Sequence, residues 1–441
     1  MAIRLTNRLS GRGTILALIC VGMFVVQLDV TVVNVALPSI GADFRSGTSA
    51  LQWVVSGYSV AFAALLLAAG SAGDIYGHRR VVLTGFAVFG LASVGCALAP
   101  GLAFLVAARI AQGVGAAILL PGTIALITKA YPGSAEQSRA LGIWAGTAAL
   151  ALPSGPVLGG ALVDAFGWRS VFWINVPILV CAASATVVVA PESVREVDRR
   201  MDIAGSICAA VFLGGVVFFA IEAGATGSTM VLIAVGVLAV AALVAFVVVE
   251  RGSAAPMLPL ELIRSRAFVG ANAVSLLMNF VGIGMIFVVG LYLQQVRELS
   301  PLRAGVALLP LFVPLAVLAP IAGKVTARMG SRPPAVVGLL TGVLGCLLLT
   351  RVGTGWSLLA VGTLLLGIGM GLLTAPIVAA AMRSAPPQYA GVASGVNNTA
   401  RQAGGAFGVA CLGLAGVSAA AAVCAALWLS AAVVVLLCVD R

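Results

Sequence analysis

The sequence predicts an all-α integral membrane protein with fourteen transmembrane helices. Three observations predict it. Hydrophobic residues fill 61% of the 441 positions and charged residues only 9%, where a soluble domain carries about 25% charged residues. The apolar residues form recurring runs, most of them near the roughly 20 residues that cross a bilayer. The basic residues gather in the short stretches between those runs. No soluble fold could cover so much apolar surface, so lipid is the solvent, and lipid demands an internally satisfied backbone.

The first run, at about 14–40, contains Leu28-Asp29-Val30-Thr31-Val32-Val33-Asn34-Val35-Ala36-Leu37-Pro38. A carboxylate at mid-membrane costs about 2.5–3.5 kcal/mol on insertion scales. Asp29 must therefore face protein, water or a partner charge. Arg4, Arg8 and Arg12 ahead of the run resemble a signal peptide. The run is too long for one and holds an acid, so it reads as an uncleaved first span. Thirteen further runs follow at about 50–72, 81–99, 102–128, 140–163, 169–190, 203–222, 230–249, 267–292, 304–327, 334–350, 356–381, 390–416 and 419–438. Only short loops remain between them.

Orientation follows from the loops. With the N-terminus inside, 18 lysines and arginines fall on the inner side and 5 on the outer, a strong positive-inside bias. Both chain ends are then expected in the cytosol. Two arginines escape this division because they lie within spans: Arg109 in span 4 and Arg401 in span 13.

An internal repeat is visible. Gly70, Gly77 and Arg79 recur as Gly323, Gly330 and Arg332, at an offset of 253 residues. Gly113-Val114-Gly115 with Pro121 finds a looser echo in Gly367-Ile368-Gly369 with Pro376. The expected layout is a six-helix bundle at 1–190, two extra central spans with flanking charged loops at 191–266, and a second six-helix bundle at 267–441. Repeated halves with a site between them are a common design of secondary transporters.

Several classes are excluded. The net charge of +11 is scattered through loops rather than forming a nucleic-acid-binding face. All eight cysteines fall in apolar runs, with neither disulfide nor zinc spacing. His78 is the only histidine and Lys129 and Lys324 the only lysines. No phosphate-binding loop, metal site or Ser/His/Asp set can be assembled, so neither a cofactor nor an enzyme is expected.

The motifs narrow the class further. Gly70-Ser71-Ala72-Gly73-Asp74-Ile75-Tyr76-Gly77-His78-Arg79-Arg80 resembles the loop 2–3 signature of the major facilitator superfamily. Arg109-Ile110-Ala111-Gln112-Gly113 resembles its span 4 motif, and Gly155-Pro156-Val157-Leu158-Gly159-Gly160 the span 5 motif of its antiporters. Leu28–Pro38 is similar to the span 1 signature of the fourteen-helix drug:proton antiporter branch. Ile75, His78 and Ala151 depart from the pattern. The resemblance covers essentially the whole chain. It implies the major facilitator fold and ties Asp29 and Arg109 to proton and substrate coupling. It also implies a cytosolic gate of Gly70, Asp74, Gly77, Arg79 and Arg80, with Asp74 meeting the start of span 13 near Tyr389-Ala390-Gly391. Gly155, Pro156, Gly159 and Gly160 would form a flexible antiporter helix.

Small residues four apart let membrane helices approach closely, which is the simpler role of that stripe. A structural ion pair is the simpler role of Asp29 and Arg109. Candidate cavity residues are Asn34, Trp53, Tyr58, Gln112, Asn279 and Arg401, with Phe62, Met278, Phe280, Met285, Phe287 and Tyr292 as apolar lining. The expectation is a monomeric, multi-pass exporter of the cytoplasmic membrane. It would exchange protons for a small hydrophobic or amphipathic compound by alternating access. An importing symporter, a channel and a membrane enzyme are the alternatives. The antiporter stripe, the missing filter loop and the missing catalytic residues count against them in turn.

Overall fold

The computed structural model describes residues 2–131, 133–189, 202–224, 228–253 and 258–439. The described residues form helices and no strands. The first set is α1 (Ala2–Phe44), α2 (Thr48–Tyr76), α3 (His78–Ala97), α4 (Leu102–Ala130), α5 (Ser134–Phe166), α6 (Ser170–Trp173) and α7 (Asn175–Val189). Two helices follow, α8 (Ile203–Gly224) and α9 (Thr229–Gly252), and then the short α10 (Leu260–Arg264). The second set is α11 (Arg266–Leu291), α12 (Pro301–Ala307), α13 (Leu309–Met329), α14 (Arg332–Leu349), α15 (Trp356–Arg383), α16 (Ala390–Leu412) and α17 (Val417–Cys438).

Each expected run matches one helix, or a broken pair such as α6–α7 and α12–α13. Thirteen of the described stretches are long and apolar enough to span a membrane. The exception is α16, which has 23 residues but carries Asn397, Asn398, Thr399, Arg401 and Gln402. The expectation of fourteen apolar spans is corrected on that point. The loop expected around Gly70–Arg80 is also corrected: α2 runs on to Tyr76, and Gly77 alone separates it from α3. Gly77 has φ +91° and Gly330, 253 residues on, has φ +82°, a left-handed turn that favours glycine. His78, expected in a loop, is the first residue of α3 and is buried against Gly73. The loop residues 190–201, Arg441 and the side chains of Arg4, Arg8, Arg12 and Asp74 lie outside the described residues.

Polar contacts tie the turns at one end together. Arg169 pairs with Asp43 at 2.8 Å and reaches the Ala99 carbonyl. Asp164 accepts from Ser300 Oγ and the Leu302 amide, at the start of α12, where a helix N-terminus favours a carboxylate. This is the Asp43 end, expected outside; Gly77 marks the other end.

The repeat recurs in the packing, at 253 residues for α2 and α3, 254 from α4 to α15 and 249 from α7 to α17. A Cβ on Gly115 would lie 2.7 Å from the Phe89 nitrogen, and one on Gly369 would lie 2.8 Å from the Gly342 nitrogen. Gly85 is pressed by Leu119, and Gly338 by Leu372. Gly113 abuts the Tyr58 carbonyl, and Gly367 the Leu311 carbonyl. Arg79 donates to the Val187 carbonyl near the end of α7, and Arg332 to the Leu436 carbonyl near the end of α17. Cations satisfying a helix's last carbonyls are favourable. The small residues at these crossings are what allow backbones to touch without a hydrophobic driving force between helices.

Candidate functional site

Asp29 and Arg109 meet. α1 and α4 bring them together, and Arg109 Nη1 donates to Asp29 Oδ2. Asp29 is 0% exposed and Arg109 1%, so neither faces lipid or bulk water. Four further elements complete the cluster. Arg109 Nε donates to the Val54 carbonyl of α2 at 3.0 Å, and Nη1 also to Gln112 Oε1 at 2.8 Å. Gln112 Nε2 donates to Ser93 Oγ of α3 at 2.8 Å and to Asp29 Oδ1 at 3.4 Å. Asn175 Nδ2, at the start of α7, donates to Asp29 Oδ1 at 3.2 Å. Cys96 Sγ donates to Gln112 Oε1 at 3.2 Å. The guanidinium lies over the Tyr58 ring, 4.5 Å from its centroid, with Phe172 of α6 at 5.9 Å. Arg109 follows the start of α4 by seven residues, about 10 Å of rise. The cluster thus sits toward the Asp43 end rather than at the midplane.

Such an arrangement is stable only because both charges are hydrogen-bonded. Removing one partner of a buried pair typically costs about 3–5 kcal/mol, since the other is left uncompensated. Tyr58 and Gln112, expected to line a cavity, belong to this buried cluster. Ser93, Cys96 and Asn175 were missed by the sequence reading. Asn175 alone had a signal: an amide inside an apolar run, subject to the same cost as Asp29.

Two residues beyond Asp29, α1 meets α5. A Cβ on Gly155 would lie 1.9 Å from Thr31 Oγ1, and one on Gly159 would lie 2.6 Å from Val32 Cγ2. Gly160 faces α12, where a Cβ would lie 2.5 Å from Leu302 Cα, and a Cβ on Gly305 would lie 2.1 Å from the Pro156 carbonyl. The glycine stripe thus joins the first set to the second at the Asp43 end. There is no room for a single added methyl group in it.

The other expected residues scatter. Trp53 packs on Phe218 of α8, centroids 5.9 Å apart. Asn34 is buried where α1 nears α11, donating to the Val30 carbonyl, and its Oδ1 has no partner among the described residues. Phe62, Met278, Met285 and Phe287 are buried in the hydrophobic core. Asn279 is half-buried. Arg401 is half-buried on α16, and its Nε has no hydrogen-bond partner among the described residues. Its neighbour Asn397 is satisfied, donating to Asn272 and Ser275 of α11.

At the expected gate, Arg79 is bound to α7 and Arg80 is exposed. A Cβ on Gly70 or on Gly391 would meet nothing within 4 Å. The close approach of α2 and α16 lies about a turn deeper, where a Cβ on Gly395 would be 2.6 Å from Leu67 Cδ2. Gly70 permits no tight contact here, because the two helices are already apart at that level.

The sequence profile of the Major Facilitator Superfamily matches residues 19–409. The chain belongs to the Major Facilitator Superfamily. It is a multi-pass membrane transporter and not an enzyme. It is 38% identical over 394 residues to the multidrug resistance protein Stp of Mycobacterium tuberculosis, covering 89% of this chain and 73% of that one. It is 34% identical to the tetracenomycin C resistance and export protein of Streptomyces glaucescens, covering 91% and 75%. It is 35% identical to the methylenomycin A resistance protein of Streptomyces coelicolor, covering 91% and 85%. A crystal structure of the peptide transporter POT in complex with sulfate shares the fold, with a TM-score of 0.70, 16% identity, and coverage of 96% and 93%.

Proposed function

We propose that this transporter is a proton-coupled exporter of a small hydrophobic or amphipathic compound, such as an antibiotic. The observation that carries the coupling is the buried Asp29–Arg109 pair. The direction and substrate class rest on its similarity to three resistance or export proteins. The proton gradient is the energy source, and no cofactor is invoked. The chain works as a monomer with both ends in the cytosol, in the orientation the arginine count favours. All fourteen helical stretches span the membrane in this reading, α16 included. Arg401 and its neighbouring amides then face the protein interior, where a polar span can be tolerated. The bundles 1–190 and 267–441 rock about the site between them.

The coupling step follows from the cluster. While Asp29 is ionised, it holds Arg109, Asn175 and Gln112. A proton reaching Asp29 cancels its charge and leaves Arg109 buried without a counter-ion, an arrangement costly enough to force movement. Thr31 and Val32 carry that movement directly into the Gly155–Gly159 contact on α5. Arg401, with its free Nε, offers the cavity a donor for an acceptor group on the substrate.

The test uses inside-out vesicles with an imposed pH gradient and a panel of antibiotics and dyes. Export appears as accumulation that a protonophore collapses, and Asp29→Asn protein is expected to insert normally but accumulate nothing. Full proton-driven accumulation by Asp29→Asn would falsify the coupling role. Accumulation only in right-side-out vesicles would mean symport.

A further inference from the structure

α16 is the polar span, and its neighbours show which of its faces are taken. Asn397, Gly404 and Gly408 face α11. Gly395, Thr399 and Ala406 face α2, against Leu67, the Ala63 carbonyl and Ser56 Oγ. Toward the Asp43 end, Gln52 Nε2 of α2 donates to the Val409 carbonyl at 2.6 Å and the Ala410 carbonyl at 3.0 Å. Ala403, Phe407 and Ala410 pack with Leu213, Val217 and Ile221 of α8.

One stripe is left. Ser394, Asn398, Arg401 and Gln402 follow one another at helical spacing and share a face, opposite the side that α8 covers. α9, packed on α8, is largely exposed, so α8 lies toward the lipid and the stripe looks inward, between α2 and α11. No residue from Val392 to Ala410 is exposed.

Arg401 is the middle residue of Ala390–Leu412. It therefore stands at mid-membrane, where a lone cation is most costly. Among the described residues it makes no ion pair, and its Nε has no hydrogen-bond partner. The sequence offers it no acid either. Of the 14 acidic residues, only Asp29 lies in the body of a span, and Arg109 holds it. The Thr399–Ala63 and Ser56–Ala406 contacts set Arg401 level with Ala61. Asp74 is 13 residues farther along α2, about 20 Å of helix rise. The polar groups on the facing surfaces are amides. Gln27 lies two turns from Asn34 on one face of α1, and Asn279 three turns from Gly290 on one face of α11. Asn34 and Gly290 mark where those two helices meet.

We propose that Arg401 binds an anionic group of the substrate, and that the chain exports an amphipathic organic anion, a carboxylate, enolate or phenolate on an apolar body, while excluding organic cations. This rests on the export reading above and names its substrate class. A guanidinium presents a planar fork of donors that matches a carboxylate, and Asn398, one turn away, adds an amide. While Asp29 is ionised, its charge and that of Arg109 cancel, and Arg401 leaves the interior positive. A proton on Asp29 makes it more so. At no stage is there an uncompensated negative charge to hold an organic cation. Proton and anion do not compete for one charge, so the exchange runs through the α1–α5 contact rather than by direct displacement.

The experiment uses the full chain in nanodiscs of zwitterionic lipid, with Cys181, Cys208, Cys411 and Cys438 replaced by alanine and the four buried cysteines kept. Asn398→Cys is labelled with a sulfonated and with a trimethylammonium methanethiosulfonate. The ratio of the two rates cancels any change in the thiol itself. That ratio, anionic over cationic, is expected to fall about tenfold when Arg401→Gln is added, and to recover with Arg401→Lys. No fall, or no reaction with either reagent, overturns the site. Binding is then measured with two probes on one ring system, anthracene-2-carboxylate and an anthracenylmethyl-trimethylammonium cation. Wild type is expected to bind the carboxylate about tenfold tighter, Arg401→Gln to lose that preference, and Arg401→Glu to reverse it. Equal affinities in wild type overturn the substrate class. If neither probe binds, the labelling ratio still decides the site. Proton-driven uptake into inside-out vesicles separates the two readings. Uptake of the cation alone overturns the anion class and keeps export. Anion binding without uptake of either probe counts against export and leaves the site standing.

Discussion

The two sets of helices share a scaffold but fill its centre with opposite chemistry. In the first set, Asp29, Ser93, Arg109, Gln112 and Asn175 make one dry, charged cluster. Moving Asp29 and Ser93 by 253 residues, Arg109 and Gln112 by the 254 that relates α4 to α15, and Asn175 by the 249 that relates α7 to α17 gives Gly282, Cys346, Thr363, Leu366 and Cys424. Trp428 and Cys346 are both 0% exposed. The Trp428 indole packs one turn beyond Cys424, which takes the place of the amide, and Gly342 makes room for it: a Cβ there would lie 1.7 Å from the ring. The same scaffold therefore holds a charge pair at the centre of one copy, and small neutral side chains with an adjoining indole in the other. The lesson is that helix packing, set by glycines and helix lengths, is indifferent to what occupies the centre. Only the centre distinguishes a copy able to respond to a proton from one that is merely packed.

The strongest way to break the comparison is to disarm the charged centre. Arg109→Ala leaves Asp29 buried and alone, and should cost about 3–5 kcal/mol of stability as well as all transport. Asp29→Asn with Arg109→Gln together should recover most of that stability, read as SDS-titration midpoints, while transport stays absent. If the double variant transports, the cluster is packing and nothing more. The packed centre should behave in the opposite way. Trp428→Ala empties an aromatic-sized site and should cost about 3–5 kcal/mol, whereas Trp428→Phe should restore part of it and keep proton dependence unchanged. Gly342→Ala drives a methyl into the indole and should cost about 1–3 kcal/mol, measured in the same titration. The smallest effect is expected for Asn397→Ala. It removes the hydrogen bonds to Asn272 and Ser275, and membrane side-chain bonds average about 0.6 kcal/mol. A larger loss there, with altered transport, would show that the second set has a polar centre of its own.

Much of this was legible in the sequence, for physical reasons that can be named. Lipid leaves no alternative to long apolar helices, so the runs marked the spans. A charge in oil is expensive, so Asp29 and Arg109 stood out. Gly70 and Gly77 recurring as Gly323 and Gly330 exposed the offset, because turns that need positive φ tolerate few substitutes. Neutral partners were harder. Ser93 and Cys96 are cheap to bury, so nothing singled them out. Trp53 could not be assigned a neighbour from the sequence, because an aromatic on a span is equally at home against a helix, a ligand or lipid. The site of α8 was unreadable for a related reason: a helix apolar on every face carries no sign of which face meets its neighbours.

The contacts Gln52–Val409 and Gly305–Pro156 are one contact written twice, with the partners exchanged. That reciprocity is the mark of an isologous interface between identical subunits. A chain of α1–α7 alone, with a glycine in place of Gln52, would carry both surfaces needed to pair with its twin. The present molecule reads as such a homodimer fused into one polypeptide, in which each copy then became free to diverge at its heart.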